Sequence, residues 1–376
     1  MKYFIIAGEA SGDLHASHLM RELKKEDSHA DFLFFGGDLM LAEGGAILKH
    51  YREMAFMGLI NVILNICSIQ KNFALAKAKL LEYQPDVLIL VDYPGFNLRM
   101  AAFAKRHNIR TFYYISPKIW AWKKGRVRKV KKYIDEMFTI FPFESDFYSQ
   151  FNYPVRYVGN PTVDELARRP NQDETLATFI ERNRLPNKPV VALLAGSRRQ
   201  EIQLILPVLL SVAKDFPEWQ FVIAGAPSQP EALYRRIGGD SGVPVVFGQT
   251  YELLQQADAA LVASGTGTLE TAVLRVPQVV CYRTEFGWFA TVIKKLILTI
   301  PWFSLVNLIM DKEIVKEYFQ GECNRKTVGA ELNRILVDSG YRINMLENYS
   351  LMLQKLGGAG CAERAAIEMV QLLKSK

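Results

Sequence analysis

Short apolar runs alternate with longer amphipathic stretches along most of the chain, and this alternation predicts repeated strand–helix units. Ten β-branched or aromatic runs are predicted as strands, five in each half: Tyr3–Ala7, Phe32–Phe35, Val87–Val91, Thr111–Ile115, Met137–Ile140, Val190–Leu194, Gln220–Ala224, Val243–Phe247, Ala260–Val262 and Gln278–Cys281. Apolar residues at helical spacing predict helices between them: Leu14–Lys25, Leu59–Glu82, Leu98–Lys105, Gln200–Lys214 and Thr268–Leu274. Such alternation favours parallel, doubly wound sheets, and the predicted class is α/β.

The strand–helix rhythm is interrupted between Gly159 and Pro189, where several prolines accompany the polar run Arg168–Glu174. This interruption, in a chain of 376 residues, predicts two domains, 1–165 and 185–355. After about Gln320 the pattern becomes purely helical, and the segment 356–376 is predicted to pack on the first domain or on a second subunit. In doubly wound domains ligands bind at the carboxyl ends of the strands, so the turns there are the candidate sites.

Composition narrows the class of protein. Hydrophobic residues make up 49% and charged residues 23% of the chain, which is typical of a packed globular protein. The four cysteines are scattered without a Cys-x-x-Cys pair, which favours a reducing cytosol over a disulfide framework or a zinc site. His15 and His18 are close in sequence but lack a third ligand, so no metal and no other cofactor is expected. The first apolar run is too short for a signal peptide, and a cytoplasmic protein is expected.

The net charge of +7 is unevenly distributed, because seven of the ten residues in Lys123–Lys132 are Lys or Arg. Basic residues next to Trp120 and Trp122 suit an anionic membrane surface, a nucleic acid or a solvated helix face. No nucleic-acid motif occurs elsewhere, so nucleic acid is not expected. Met54–Gln70 and Leu296–Met310 are uncharged but shorter than the ~20 residues that span a bilayer. They are either buried helices or a surface that dips into the bilayer.

Residues 258–271 contain the most informative turn. An apolar strand runs into the small residues Ser264–Gly267, which let a phosphate approach backbone N–H groups at the start of a helix. Glu270 is expected on the ligand side of that helix, where its carboxylate can accept hydrogen bonds from two ribose hydroxyls. The pattern predicts a nucleotide-diphosphate site, with an ordinary strand–helix turn as the alternative.

Comparable turns follow other predicted strands. They are Gly8–Asp13 after the first strand, Asp92–Asn97 after the third, Ser116–Trp122 after the fourth and Leu194–Arg199 after the first strand of the second domain. In this order and spacing, together with Ser264–Glu270, Cys281–Arg283, Asn307 and Gln320, the chain resembles the lipid-A-disaccharide synthases. The resemblance covers essentially the whole chain.

The resemblance implies a GT-B fold, in which two doubly wound Rossmann-like domains face each other across a cleft, with a helical C-terminal tail. It implies a metal-independent, inverting transfer from UDP-2,3-diacylglucosamine to the 6-hydroxyl of 2,3-diacylglucosamine 1-phosphate, with release of UDP. Because both substrates carry acyl chains, peripheral association with the inner membrane is expected. The candidate docking surface comprises Met54–Phe73, Trp120–Lys132 and Phe286–Met310, and a homodimer is left open.

The resemblance also implies roles for individual residues. The expected donor-binding residues are Gly196, Ser197, Arg198, Ser264, Gly265, Thr266, Thr268, Glu270 and Arg283. Asp92 is the expected general base, because it ends an all-apolar strand where loss of water would raise its pKa. Glu9 is the competing carboxylate, and Asn307 is expected to orient a sugar in the catalytic set. The expected acceptor-binding residues are Gly8, Ser11, Gly12 and Asp13, although Asp13 equally suits the N-cap of the helix predicted at Leu14.

The chain departs from the family pattern at four positions. Gly95 stands where an Asp is common, Asn160 where a His is expected, and Ala195 and Val306 where a Pro is expected. None of these departures removes a residue that the expected chemistry needs. Three alternatives remain: a UDP-sugar epimerase or hydrolase, another lipid-linked transferase, and a non-catalytic membrane-binding module. An epimerase would act on non-acylated UDP-GlcNAc, whereas the transferase would require acylated donor and acceptor.

Overall fold

The computed structural model describes residues 1–54, 66–122, 124–285 and 301–375. The chain divides into two compact units, one formed by Met1–Pro161 with Ala359–Lys376 and the other by Thr162–Gly358. Each unit is built on a single parallel sheet, of seven strands in the first and six in the second. The α/β class predicted from the alternating pattern is therefore confirmed.

The sheet of the first unit has the strand order β3-β2-β1-β4-β5-β6-β7. Its strands are β1 Lys2–Ala7, β2 Asp31–Gly36, β3 Ala46–His50, β4 Val87–Val91, β5 Thr111–Tyr114, β6 Glu136–Thr139 and β7 Arg156–Tyr157. All five residues of β4 are buried, as is typical of a parallel strand covered on both faces. The strand order reverses between β1 and β4, so the turns that follow these two strands flank a topological switch point.

Helices of the first unit connect these strands. They are α1 Ala10–Glu26, α2 Asp38–Ala42, α3 Ile66–Tyr83, α4 Pro94–Arg106, α5 Ile119–Trp122, α6 Val127–Tyr133 and α7 Pro142–Ser149, with short 3-10 turns at Tyr51–Glu53 and Lys124–Arg126. Pro94 is the first residue of α4, where its missing N–H and fixed φ are tolerated. This helix therefore begins immediately after the turn that carries Asp92.

The sheet of the second unit has the order β10-β9-β8-β11-β12-β13. Its strands are β8 Val190–Leu194, β9 Gln220–Gly225, β10 Val245–Phe247, β11 Ala257–Ala263, β12 Gln278–Tyr282 and β13 Glu317–Phe319. Its helices are α8 Pro161–Ala167, α9 Leu176–Asn183, α10 Arg199–Ala213, α11 Glu231–Gly238, α12 Thr250–Gln256, α13 Thr266–Val273, α14 Leu305–Met310, α15 Arg325–Val337 and α16 Ser339–Leu356, with 3-10 turns at Gly239–Ser241 and Gln320–Glu322. Here the switch point lies between β8 and β11.

The last helix, α17 (Cys361–Lys374), belongs to the first unit and packs along α1. Its first turns are tied to the segment that follows β7: the Cys361 thiol donates to the Gly159 carbonyl at 3.3 Å, and Arg364 Nε donates to the Val158 carbonyl at 2.9 Å. The alanines and aliphatic residues on its inner face are buried, which explains the amphipathic pattern at the end of the chain.

All ten predicted strands are present, with bounds that differ by at most three residues. Three further strands, β3, β7 and β13, were not predicted, and each lies at an edge of its sheet. An edge strand is not enclosed on both sides, so it needs no continuous apolar run, and these segments carry Lys, His, Arg or Glu. Residues 55–65, the beginning of the helix predicted over Leu59–Glu82, lie outside the described residues.

Candidate functional site

Most of the predicted site residues lie at the two switch points. In the first unit, Glu9 follows β1 and Asp92 follows β4. In the second unit, Arg198 follows β8, and the turn from Ser264 to the start of α13 follows β11. Each pair of turns comes together because the carboxyl ends of neighbouring parallel strands meet at one edge of a sheet.

The backbone at Asp92 is strained. Asp92 and Tyr93 have φ values of 43° and 46°, in the left-handed region that favours glycine. Such residues cost of order 1–3 kcal/mol each and persist only where their surroundings fix them. Here the Asp92 N–H donates to the Tyr114 carbonyl at 3.2 Å. The Asp92 carbonyl accepts from Asn97 Nδ2 at 2.7 Å and from the Tyr113 hydroxyl.

The carboxyl group of Asp92 has the properties of a general base. Burial disfavours its charged form and raises its pKa above the ordinary value, while the positive charge of Lys118 and the N–H of Tyr93 oppose that shift. A carboxylate whose pKa is raised in this way accepts a proton more readily at neutral pH than an exposed one does. The shift agrees with the expectation drawn from the apolar strand that precedes it.

The turn after β1 packs directly on the turn after β4. A Cβ atom at Gly8 would lie 2.3 Å from a ring carbon of Tyr93, so only glycine fits there. Glu9 occupies the N-cap position of α1, and its charge helps to raise the pKa of Tyr93. A Cβ at Gly12 would lie 3.3 Å from that of Ala7, which allows α1 to sit close to β1. Gly8, Glu9 and Asp92 are therefore brought together as predicted.

Asp13 requires a correction. Since α1 begins at Ala10, this residue lies in the first turn of the helix and is not its N-cap. Its carboxylate instead accepts backbone N–H bonds from Gly37 at 2.7 Å, Met40 at 3.1 Å and Leu39 at 3.2 Å. Asp13 therefore caps α2 and ties it to α1. Contacts of Asp13 and of the exposed Ser11 with an acceptor stay predictions.

In the second unit, the turn after β8 presents an exposed cation. Gly196 has a φ of +103°, and a Cβ there would lie 2.7 Å from Glu201 Oε2, so this position requires glycine. Ser197 is exposed, and Arg198 Nη1 lies 3.6 Å from Glu201 Oε1, with 70% of the Arg198 side chain exposed. An exposed pair of this kind contributes at most about 1 kcal/mol, so the guanidinium is readily available to a phosphate.

The turn after β11 presents backbone donors. Gly265 and Thr266 are exposed at the start of α13, where the first N–H groups of a helix have no partner within it. The Ser264 hydroxyl donates to the Phe303 carbonyl at 3.4 Å. Thr268 differs from its prediction as a donor-binding residue: it is fully buried and its hydroxyl donates to the Gly265 carbonyl at 2.8 Å. Its side chain therefore shapes the turn.

Three titratable groups from three helices surround the predicted ribose site. Burial raises the pKa of Glu270 on α13 to about 7. The pKa of Glu165 on α8 is also raised to about 7, by burial and then by the charges of Glu270 and Asp164. The same two carboxylates, after burial, raise the pKa of Tyr251 on α12. Glu165 and Tyr251 were not predicted, because nothing in the local sequence pattern places them next to Glu270.

The position of Glu270 predicts a pH dependence of nucleotide binding. As the pH falls through about 7, Glu270 takes up a proton and loses the charge that would hold the ribose hydroxyls, so the Kd of UDP-GlcNAc is expected to rise. The pyrophosphate of this ligand does not titrate in that range, and calorimetry at several pH values measures the effect. Glu270→Gln should bind weakly with a flat pH profile. An unchanged pH dependence in Glu270→Gln would contradict this role.

Arg283 lies at the end of β12, where Nη1 donates to the Leu204 carbonyl at 3.5 Å. Its charge lies close to the buried thiols of Cys281 and Cys323 and favours the thiolate of each. These contacts hold the side chain against α10 and the end of the sheet. A contact between Arg283 and the nucleotide stays a prediction.

The structure corrects the assignment of Asn307 to the catalytic set. Asn307 is fully buried, and its Nδ2 donates to the Val315 carbonyl and to Glu317 Oε1, each at 2.9 Å. Its Oδ1 accepts from the N–H groups of Ile314 at 2.7 Å and Val315 at 3.0 Å. The amide therefore has no hydrogen-bonding atom left for a sugar. It acts as a positioning residue for the loop between α14 and β13.

Among residues 1–54, 66–122, 124–285 and 301–375, no group of three or more His, Cys, Asp and Glu side chains is placed to hold a metal ion. The polar groups at the switch points are instead two carboxylates, an exposed guanidinium and backbone N–H groups. Such a set can bind an anion and remove a proton from a hydroxyl.

Comparison with known proteins identifies the fold. The Neisseria meningitidis UDP-GlcNAc 2-epimerase bound to UDP-GlcNAc superposes with a TM-score of 0.63 at 14% identity, and all of both chains is covered. The glycotransferase of kitacinnamycin superposes with a TM-score of 0.67 at 13% identity, covering 99% of each chain. The two parallel sheets and the helical tail are thus those of the GT-B fold.

Sequence comparison identifies the family. The family described as Lipid-A-disaccharide synthetase matches residues 3–369. The lipid-A-disaccharide synthase of Myxococcus xanthus is 38% identical, over 99% of this chain and 97% of its own length. The corresponding protein of Geobacter sulfurreducens is 34% identical, again over 99% of this chain and 97% of its own. The chain therefore belongs to the lipid-A-disaccharide synthase family.

Proposed function

We propose that this protein is an inverting glycosyltransferase that joins UDP-2,3-diacylglucosamine to the 6-hydroxyl of 2,3-diacylglucosamine 1-phosphate. The products are the β-1,6-linked lipid A disaccharide 1-phosphate and UDP. The family match over residues 3–369 is the observation that carries this proposal. The groups that the reaction needs are present at the switch points of the two sheets.

The second unit has groups suited to hold and release UDP. The exposed guanidinium of Arg198 can form a charged fork with a phosphate, and the N–H groups at the start of α13 point toward an anion from the positive end of the helix. Both would stabilise the charge that develops on UDP as the bond to the anomeric carbon breaks. Glu270 would accept hydrogen bonds from the ribose hydroxyls.

The first unit has the group suited to activate the acceptor. The 6-hydroxyl attacks the anomeric carbon from the face opposite UDP, so the configuration inverts in a single displacement. Its proton passes to the carboxylate of Asp92, whose raised pKa favours that transfer. Glu9 in the neighbouring turn is the second carboxylate that could take the proton, and the Discussion separates the two.

Both substrates carry acyl chains, and we propose peripheral association with the inner membrane from the cytoplasmic side. None of the helices in the described part of the chain is long and apolar enough to cross a bilayer. Four basic side chains are exposed on and beside α6: Arg128, Lys129, Lys131 and Lys132. Trp120 does not belong to this surface, since it is 6% exposed and its indole N–H donates to Glu144 at 3.2 Å. Residues 55–65 and 286–300 of the other two candidate docking segments lie outside the described residues.

The exposed lysines provide a test of this association. Replacing Lys129, Lys131 and Lys132 together with Ser is expected to release the protein from anionic vesicles at low salt, because each lysine near such a surface contributes about 1 kcal/mol. Vesicle sedimentation measures the bound fraction. As a control of equal charge, the exposed Lys214, Lys326 and Lys355 are replaced with Ser. Equal binding of both triple variants would contradict a basic docking surface on α6.

A UDP-sugar epimerase or hydrolase is the second candidate, because the structural neighbours include UDP-GlcNAc 2-epimerases. The two functions differ in their substrates. The transferase should give a disaccharide 1-phosphate, detected by mass spectrometry, only when acylated donor and acceptor are both present. Conversion of UDP-GlcNAc in the absence of a second sugar would favour the epimerase or hydrolase.

A further inference from the structure

We propose that Asn97 and Tyr113 are positioning residues for Asp92, because their hydrogen bonds to its carbonyl oxygen hold the turn that aims its carboxyl group. The proposal deepens the function given above and rests on Asp92 being the general base. Neither Asn97 nor Tyr113 reaches the reacting atoms in this account. They act through the backbone of the residue that does.

The amide of Asn97 binds where two strands end. Asn97 is fully buried, and its Nδ2 lies 2.7 Å from the Asp92 carbonyl, 3.2 Å from that of Val91 and 3.4 Å from that of Ile6. These carbonyls belong to the ends of β1 and β4, on either side of the switch point. A single amide thus links the last residues of both strands to the turn at Asp92.

The other end of the Asn97 side chain gives a reason to look beyond packing. Its buried Oδ1 has no hydrogen-bond partner among the described residues. An unsatisfied buried acceptor destabilises a fold, and one in a native structure calls for an explanation. An apolar side chain would avoid that penalty but could not donate to Asp92. We infer that the donor function is what this position requires.

Tyr113 supplies the second hydrogen bond. It is fully buried on β5, the strand next to β4, and its hydroxyl donates to the Asp92 carbonyl. The hydroxyl also lies close to the Asn97 side chain, so Asn97, Tyr113 and the Asp92 carbonyl form one small buried cluster. Removing either donor leaves the carbonyl with the other alone.

The turn needs these donors because it is strained at two successive residues, with φ values of 43° at Asp92 and 46° at Tyr93. Tyr93 has its own restraints: its hydroxyl donates to the Met54 carbonyl at 2.9 Å and its carbonyl accepts from the Asn97 N–H at 3.1 Å. Asp92 depends on the two side-chain donors. If they are lost, the backbone can relax toward an extended conformation, and a shift of about 1 Å at a reacting group can cost about 100-fold in rate.

Asn97→Ala and Tyr113→Phe test the proposal. Each is expected to lower kcat about 10-fold or more, while the KM of the donor and the affinity for UDP stay within about twofold. The acid limb of the pH–rate profile should also move to lower pH, because a loosened turn admits water to Asp92 and lowers its pKa. The charged and titratable groups near that carboxyl are Lys118, Glu9 and Tyr93, and none of them is changed.

The matched control is Tyr153→Phe. Tyr153 is a buried tyrosine of the same unit whose hydroxyl donates to a backbone carbonyl, that of Ile134, at 3.1 Å. Its loss should lower Tm as Tyr113→Phe does, but leave kcat and the pH profile unchanged. If Asn97→Ala fails to fold, Tyr113→Phe decides alone, since it removes one oxygen atom from the core.

The possible outcomes separate the inference from the function on which it rests. Normal kcat and an unchanged pH profile in the Asn97 and Tyr113 variants, together with an inactive Asp92→Asn, would overturn the positioning role and leave the base in place. Full activity of Asp92→Asn would overturn the base itself. A loss of kcat in Tyr113→Phe that Tyr153→Phe matches would assign both tyrosines a merely structural role and overturn the inference.

Discussion

Replacing Asp92 with Asn is expected to lower kcat at least about 100-fold, with folding and UDP affinity unchanged. The amide keeps the size of the side chain and can still occupy the strained turn, but it cannot take the proton of the attacking hydroxyl. Because the nucleotide-binding groups lie in the second unit, binding of UDP should not respond. Steady-state kinetics with acylated substrates and calorimetry with UDP measure the two effects.

Two further variants sharpen this test. Asp146→Asn changes an exposed carboxylate on α7 of the same unit and should leave kcat unaffected. Glu9→Gln removes the competing carboxylate beside Tyr93. A loss of about 100-fold in Glu9→Gln with near-normal activity in Asp92→Asn would move the base to Glu9 and refute the assignment made here.

Replacing Arg198 with Ala is expected to lower kcat by about 100-fold, the effect of removing one group that stabilises charge developing in a transition state. Arg198→Lys should recover only part of the loss, since an ammonium group cannot form the two-pronged contact of a guanidinium with a phosphate. The same kinetic assay measures both variants, and their KM values show whether ground-state binding of the donor changes as well.

Arg235 provides a control for this variant. Like Arg198 it is a strongly exposed arginine of the second unit, 76% exposed, paired with a glutamate on its own helix, in this case Glu231 at 2.6 Å. Arg235→Ala should retain full activity. Equal losses in the two variants would mean that the activity responds to the net charge of the unit, and Arg198 would lose its proposed role.

Much of the fold could be predicted from the sequence because its central strands are buried on both faces. The continuous apolar runs of β1, β4 and β8 follow from that burial. The edge strands β3, β7 and β13 have no such constraint and could not be recognised. The start of α1 was placed at Leu14 because Asp13 is a favourable cap, whereas that carboxylate caps α2, a pairing that only the tertiary structure reveals.

The site was predictable where position along a strand was enough. Asp92 and Arg198 were found because a polar residue just after a buried parallel strand must lie at the binding edge of the sheet. The roles of Thr268 and Asn307 were wrong because sequence does not show burial or hydrogen-bond partners. Glu165, on a helix about a hundred positions before Glu270, has no local signal, because only the fold brings the two together.

Release of UDP from UDP-2,3-diacylglucosamine in detergent micelles, with and without 2,3-diacylglucosamine 1-phosphate, tests the proposed transfer most directly. EDTA is included in one series, because the family resemblance implies a reaction that needs no metal. The account predicts that UDP is released only when the acceptor is present, to the same extent with EDTA, in step with formation of the disaccharide. Release of UDP without acceptor, or no release with both substrates, would contradict it.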